Sequence, residues 1–381
     1  MGNMVEWKKL GDICDIIRGN GVQKTDFVEK GVGCIHYGQI YTHYGPFTYT
    51  TNKFVSKEVF EKARKASKGD IIMTDTSENV EDICKSVAYL GEEDIAVSNH
   101  ALILKHKQNP KFLTYSTLTD SFLIQKKKYV VGAKVSSIKP EYLAQIKIYL
   151  PSLSEQTRIV GILDTFTASI ENLKEQIAER RKQYEHYRDQ LLDLEGKEGV
   201  EMKTLGNVGE ICMCKRIMKD QTSDKGEIPF FKIGTFGGQA DAYITRNLFE
   251  EYKNKFSYPK KGEILISAAG TIGRSVIFDG VDAYFQDSNI VWIANDEMLV
   301  TNRYLYYFYQ IADWKTDGGT IKRLYNYNLK NTEIKVPPLE EQSRIVSILD
   351  TFEASIANLE AQLKEREKQY EYYRNKLLTF E

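Results

Sequence analysis

The chain carries one long segment twice. Residues 151–195 and 337–381 align at an offset of 186 without a gap, and 29 of 45 positions are identical. Glu155-Gln156-Thr157-Arg158-Ile159-Val160 returns as Glu341-Gln342-Ser343-Arg344-Ile345-Val346. Ile162-Leu163-Asp164-Thr165-Phe166 returns as Ile348-Leu349-Asp350-Thr351-Phe352. Internal repetition on this scale governs the whole architecture. The blocks before each copy are related more faintly. Lys68-Gly69-Asp70-Ile71 echoes Lys261-Gly262-Glu263-Ile264, and Ser98-Asn99 echoes Ser288-Asn289. One chain therefore holds two units, each a divergent head followed by a nearly invariant tail. That pattern implies a shared scaffold serving two different ligands.

Apolar residues in the tails recur at alternating steps of four and three. The first seam runs Ile159, Leu163, Phe166, Ile170, Leu173 and Ile177, then continues through Arg180, Tyr184, Tyr187, Leu191 and Leu194. The second runs Ile345, Leu349, Phe352, Ile356, Leu359 and Leu363, then Arg366, Tyr370, Tyr373, Leu377 and Phe380. Such spacing is a coiled-coil seam. Pro151 and Pro337 punctuate the starts. Two helices of about 40 residues, each roughly 60 Å long, are expected to pair with each other antiparallel. The one polar seam position in each, Arg180 or Arg366, is expected to snorkel or to pair with a glutamate such as Glu179 or Glu365.

The expected fold is α+β: two globular α/β recognition domains separated by a long antiparallel two-helix coiled coil, with an internal pseudo-twofold repeat. The expected boundaries are 1–150 for the first head and 151–199 for the first helix and linker. The second head is expected at 200–336 and the second helix at 337–381. Within the heads, Ile71-Ile72-Met73, Ala101–Leu104, Ile264–Ile266 and Asn289–Ile293 read as buried strands. Helices are expected near Phe112–Gln125 and Asn302–Ala312.

Charge and chemistry narrow the function. The net charge is −1. The two tails hold 6 basic and 9 acidic residues each, while the heads hold 21 against 17 and 18 against 17. A neutral total therefore does not exclude an anionic partner. The five cysteines form no metal-binding ladder and no disulfide framework, and no apolar run reaches the length of a membrane span. A cytoplasmic location is expected.

Catalytic motifs fail on inspection. Asn109-Pro110-Lys111-Phe112 lacks the second proline of an adenine-methylating turn. Around Lys24-Thr25, Gln23 and Arg18 stand where a phosphate-binding loop needs glycines. The five histidines have no metal spacing, so neither catalytic nor metal-binding residues are expected. Tyrosine is abundant, at 24 residues. In head one, Tyr37, Gln39, Tyr41 and His43 form a polar aromatic cluster suited to base or backbone contact, joined by Lys134, Ser136 and Ser137. In head two the candidates are Lys232, Thr235, Thr271, Arg274, Lys322, Arg323 and Asn326. The basic loops Lys126-Lys127-Lys128 and Lys322-Arg323 suit phosphate contact.

With these residues in place, the chain resembles the specificity subunit of type I restriction–modification systems. The most specific matches are the two tails, Leu150–Val160 and Val336–Val346, which look like that family's conserved regions. Ile35–Thr42 and Ala269–Arg274 are similar to stretches that recur in its target recognition domains. The resemblance implies that each head reads one half of a bipartite double-stranded DNA site. The helices would set the unread spacer and bind two methyltransferase subunits, and restriction–translocation subunits would join where present. S-adenosylmethionine would belong to the methyltransferase, not to this chain. The competing reading is a protein adaptor, with two binding heads on a rod that never touches DNA. Its support is the weak basicity of the heads.

Overall fold

A computed structural model describes residues 6–132, 135–318 and 322–379. The chain divides into two compact units, Met1–Glu175 with Ala361–Glu381, and Gln176–Glu360. Each long helix runs from one unit into the other, so each unit holds a head plus half of both helices.

In the first unit a five-stranded sheet has the order Cys14–Arg18, Ala101–His106, Ile71–Thr74, Ser86–Tyr89, Phe47–Thr48. All its pairings are antiparallel except the last. The central strands read as continuous apolar runs because both faces are covered. Successive side chains alternate between two cores. Ile71, Met73, Leu102 and Leu104 pack with Phe112, Tyr115, Ile159 and Leu163. Ile72, Ala101 and Ile103 pack on the other side with Ile35, Ile40 and Val97. A second five-stranded sheet, Phe27–Val28, Lys53–Val55, Val32–Ile35, Ile95–Val97, Arg64–Ala66, adds to that far layer.

The second unit repeats this logic with fewer strands. Gly209–Met213, Ile290–Asn295, Ile264–Ser267 and Ser275–Ile277 form an antiparallel sheet. Ile264, Ile266, Val291 and Ile293 face Tyr304, Tyr307, Ile345 and Leu349. Leu265, Ile290 and Trp292 face Phe230, Phe236, Phe249 and Tyr284. In both units a two-stranded clasp closes the head beside its tail: Glu6–Lys9 with Lys147–Leu150, and Glu201–Thr204 with Glu333–Val336.

The long helices span Leu153–Leu192 and Leu339–Thr379. In the first unit Phe166 stacks on Tyr373 at 5.4 Å and Leu378 joins Ile159 and Leu163, which is antiparallel packing. In the second unit Tyr187 stacks on Phe352 at 5.4 Å in the same sense. Every seam residue from Ile159 to Ile177 and from Ile345 to Leu363 is buried or half-buried. The seam arginines are half-buried, and each meets an aromatic ring of the other helix. Arg180 lies over the Phe352 ring and Arg366 over Phe166, each at 5.8 Å, so an aromatic face takes the cation.

Two repeated polar residues lock each tail to its own head. Gln156 and Gln342 are fully buried. Gln156 accepts from the backbone N–H of Asn109 at 2.9 Å, and Gln342 from that of Thr301 at 2.9 Å. These donors open the helices Pro110–Ser116 and Asn302–Tyr309, whose first N–H groups lack intrahelical partners. Asp164 then takes Lys111 and the Tyr115 hydroxyl, while Asp350 takes Arg303 and the Tyr307 hydroxyl.

Other local expectations are corrected. The helix expected at Phe112–Gln125 is two helices, Pro110–Ser116 and Asp120–Lys127. Thr119 breaks the run, because its side chain caps Phe122 N–H. Lys126 is no phosphate ligand. It is 5% exposed, and its ammonium donates to the carbonyls of Glu81 at 2.7 Å and Ile83 at 2.6 Å.

Candidate nucleic-acid interface

In head one the chemistry-bearing side chains gather where several strands end together. The strand Val32–Ile35 delivers the chain to the short helix Tyr37–Thr42. His36 caps that helix, accepting from Gly38 N–H at 3.2 Å, and burial lowers its pKa. Ile95–Val97 ends at Ser98, whose hydroxyl accepts from Tyr37 N–H at 2.8 Å. Ile71–Thr74 ends at Asp75 and Thr76. The Tyr41 hydroxyl donates to the Thr76 carbonyl, and burial raises its pKa. Thr76–Ser77 pairs with Ser136–Ser137. Four of the sequence candidates, Tyr37, Tyr41, Ser136 and Ser137, thus converge on the segments 75–77 and 98–100.

The others are placed differently. Gln39 is buried, and both ends of its amide are engaged: the oxygen accepts from His36 N–H at 2.8 Å and the nitrogen donates to Asn52. It holds the helix Tyr37–Thr42 in place. His43 is exposed at that helix's C-terminal end, against Tyr44. Lys134 lies outside the described residues.

Head two builds a corresponding rim from different residues. The Ile228–Phe231 strand opens into the turn Lys232–Gly238. There Thr235 accepts from Lys232 N–H at 3.1 Å, and the Lys232 ammonium meets Asp241 at 2.8 Å. The Ile264–Ser267 strand opens into a loop with left-handed Gly270 (φ +66) and Gly273 (φ +82). From it, Arg274 donates to the Phe236 carbonyl at 2.9 Å and tethers the two turns. Thr271 stands exposed beside it. Arg323 reaches across to Ser288, donating to its carbonyl at 2.7 Å and its hydroxyl at 3.0 Å. Lys322 and Asn326 are exposed on either side of it. Six of the seven head-two candidates therefore sit on loops that these bonds and the Leu324 N–H to Ala268 carbonyl bond connect, and Asn326 opens the helix Asn326–Asn331 beside them.

Sequence reasoning missed several members of both rims. In head one these are Arg18, Asp75 and His100. Arg18 ends the strand Cys14–Arg18 and meets the buried Asp75 at 2.7 Å. In head two it is Arg216, which meets Asp287 at 2.9 Å. One signal was available: the Ser98-Asn99 and Ser288-Asn289 echo falls on both rims. Among the described residues no group of His, Cys, Asp and Glu could hold a metal ion. None of the described helices is long and apolar enough to cross a membrane.

Comparison with known proteins decides the family. The profile described as "Type I restriction modification DNA specificity domain" matches residues 4–180 and again 197–368. The chain belongs to the type I restriction–modification specificity-subunit family. It is 43% identical to a putative type I restriction enzyme specificity subunit of Haemophilus influenzae, covering 100% of this chain and 96% of that one. It is 34% identical to the EcoR124I/EcoR124II specificity subunit of Escherichia coli over 60% of each chain. Two solved structures share the fold. The specificity subunit from M. genitalium aligns with TM-score 0.56 and 14% identity, covering 99% of this chain and 97% of that one. A chain from a study of complex assembly and conformational transition in a type I system aligns with TM-score 0.63 and 18% identity, covering 98% and 97%. The family role is DNA specificity, not catalysis, and the protein-adaptor reading is set aside on that ground.

Proposed function

We propose that each head of this specificity subunit reads one half of a bipartite, asymmetric duplex site, and that the long helices set the unread spacer. The supporting observation is that two heads of one architecture present unlike side chains on equivalent rims. Tyr37, Tyr41, His100 and Arg18 stand on one, and Arg274, Lys322, Arg323 and Tyr325 on the other. Unlike rims fit unlike half-sites, whereas the repeated glutamine and aspartate locks fit a common scaffold. Exposed cations such as Lys322 serve phosphate contact and register, while guanidinium, amide and hydroxyl groups serve base edges.

Two methyltransferase subunits are expected to dock on the repeated helices, because related surfaces recruit related partners. The acidic balance of those helices favours a protein neighbour over DNA. Adenine methylation and its S-adenosylmethionine then belong to those subunits, with restriction–translocation subunits added for cleavage. A bacterial or archaeal cytoplasm is the matching location.

The test is co-expression with the adjacent methyltransferase subunit, followed by methylome mapping. A bipartite adenine-methylated motif with a fixed spacer is expected. Adding one heptad to both helices lengthens them by about 10 Å, about three base pairs at 3.4 Å each. It should change the spacer and leave both half-sites intact. An unchanged spacer would refute the ruler, and a stable complex with no methylated motif would refute the reading as a whole.

A further inference from the structure

In head one, Arg18 and Asp75 form an ion pair with one buried and one exposed partner. Asp75 is 1% exposed, and the Thr76 side chain lies within reach of its carboxylate. Its neighbours are Arg18 at 2.7 Å and the His100 ring nitrogen at 3.7 Å. A buried carboxylate is costly unless it is paired and hydrogen-bonded, and burial raises the Asp75 pKa while Arg18 opposes that shift. Arg18 is the contrary case, with 55% of its side chain exposed. Its Nη2 meets the carboxylate, and the rest of the side chain lies at the surface.

Both partners are held stiffly. Arg18 closes its strand opposite Leu102, and the next residue, Gly19, donates to Ala101 at 2.8 Å. A side chain on Gly19 would strike the backbone of Val97 and Ser98, so the chain there packs directly against that strand end. Asp75 N–H donates to the His100 carbonyl, and the Asp75 carbonyl accepts from Ile138 at 3.0 Å. Beside Asp75 stands His100, whose ring meets that of Tyr37 edge to face at 5.4 Å. The buried anion therefore anchors a planar guanidinium on a side chain that is more than half exposed to solvent. Such a fork matches the O6 and N7 acceptors of guanine in the major groove.

We infer that Arg18, aimed by the buried Asp75, reads a guanine in the half-site of the first head. Arg18 is the base-contacting residue and Asp75 a positioning residue. The inference rests on the half-site reading above, and the experiment separates the two. The full chain, assembled with its methyltransferase subunits, is used to select from a randomised duplex library. If the wild-type complex selects no bipartite motif, the half-site reading fails, and this inference fails with it. If it selects one, Arg18→Ala should lower discrimination at a single G·C pair of one half-site by about tenfold to a hundredfold. The other half-site should be unchanged. Arg18→Lys keeps the charge but loses the fork, and should relax the same pair. Asp75→Asn should relax that pair again, although it touches no base, which a purely structural role would not produce.

Melting curves identify any variant that fails to fold, and Arg18→Lys then carries the test. Equal weakening of all sequences by Arg18→Ala would mark a phosphate contact and overturn base reading. So would an unchanged selection profile, or a motif with no specified G·C pair in either half.

Discussion

Replacing Gln342 by leucine tests whether the repeated tail is welded to its head through buried amides. The residue is 0% exposed and makes three bonds to main chain, each 2.9 Å. It accepts from Thr301 N–H and donates to the carbonyls of Leu299 and Pro337. Leucine fits the space but leaves one donor and two acceptors without that partner. A buried group left unsatisfied costs about 1–3 kcal/mol. Taking the low end for each gives about 3 kcal/mol. For a unit of this size about 2–4 °C is lost per kcal/mol, so the melting temperature should fall by about 6–12 °C. Gln156→Leu should cost less. One of its three partners is the side chain of Gln108, which can turn to water, leaving two main-chain groups and about 2 kcal/mol. Ser347→Ala, at an exposed helix position, serves as control and should stay within about 0.5 kcal/mol of wild type. Scanning calorimetry reads all three. A Gln342→Leu melting temperature within about 2 °C of the control would refute the reasoning, as would a larger loss for Gln156→Leu.

Burial pushes Cys14, Cys34, Cys84 and Cys214 up to about 12, so at pH 8 only about one thiol in ten thousand is ionised. These four should resist iodoacetamide in the native chain and react on unfolding, read by peptide mass mapping. Tyr115, Tyr184, Tyr258, Tyr284 and Tyr304 are also pushed up by burial. The folded chain then keeps protons that the unfolded chain loses above about pH 8.5 for Cys and about pH 10 for Tyr. Stability is whole below that range and falls as pH rises through it; melting curves at pH 8 and pH 10 should differ in that direction. Gly273→Ala combines a left-handed backbone (φ +82) with a Cβ that would fall on the Trp314 indole. It should distort the 270–274 loop and impair methylation through one half-site, seen as altered motif selection with a lowered melting temperature.

Much of the scaffold was legible because its signals are local and periodic. A heptad pattern with no internal proline leaves a helix as the economical structure, and the two long helices begin just past Pro151 and Pro337. Ile71–Met73 and Ile264–Ile266 declared buried strands because a run apolar at every position suits a sheet covered on both faces. The rims were harder to read. Lys126, within a basic triplet, looks like a phosphate ligand until the fold brings the carbonyls of Glu81 and Ile83 to it. Gln39 looks like a base reader until Asn52 is placed against it. Arg18 and Asp75 are 57 positions apart and carry no pattern that links them.

The amino-acid sequence by itself determined that there are two units, that each ends in a long amphipathic helix, and that the heads differ while the tails agree. Periodicity and repetition survive without coordinates, because they depend only on the spacing of neighbours along the chain. Tertiary structure alone decided which polar groups remain available. A lysine, glutamine or arginine becomes a structural brace or an exposed donor according to which distant carbonyl or carboxylate the fold sets within about 3 Å. That choice separates Lys126, fixed in the core, from Arg18, held at one edge and open at the other.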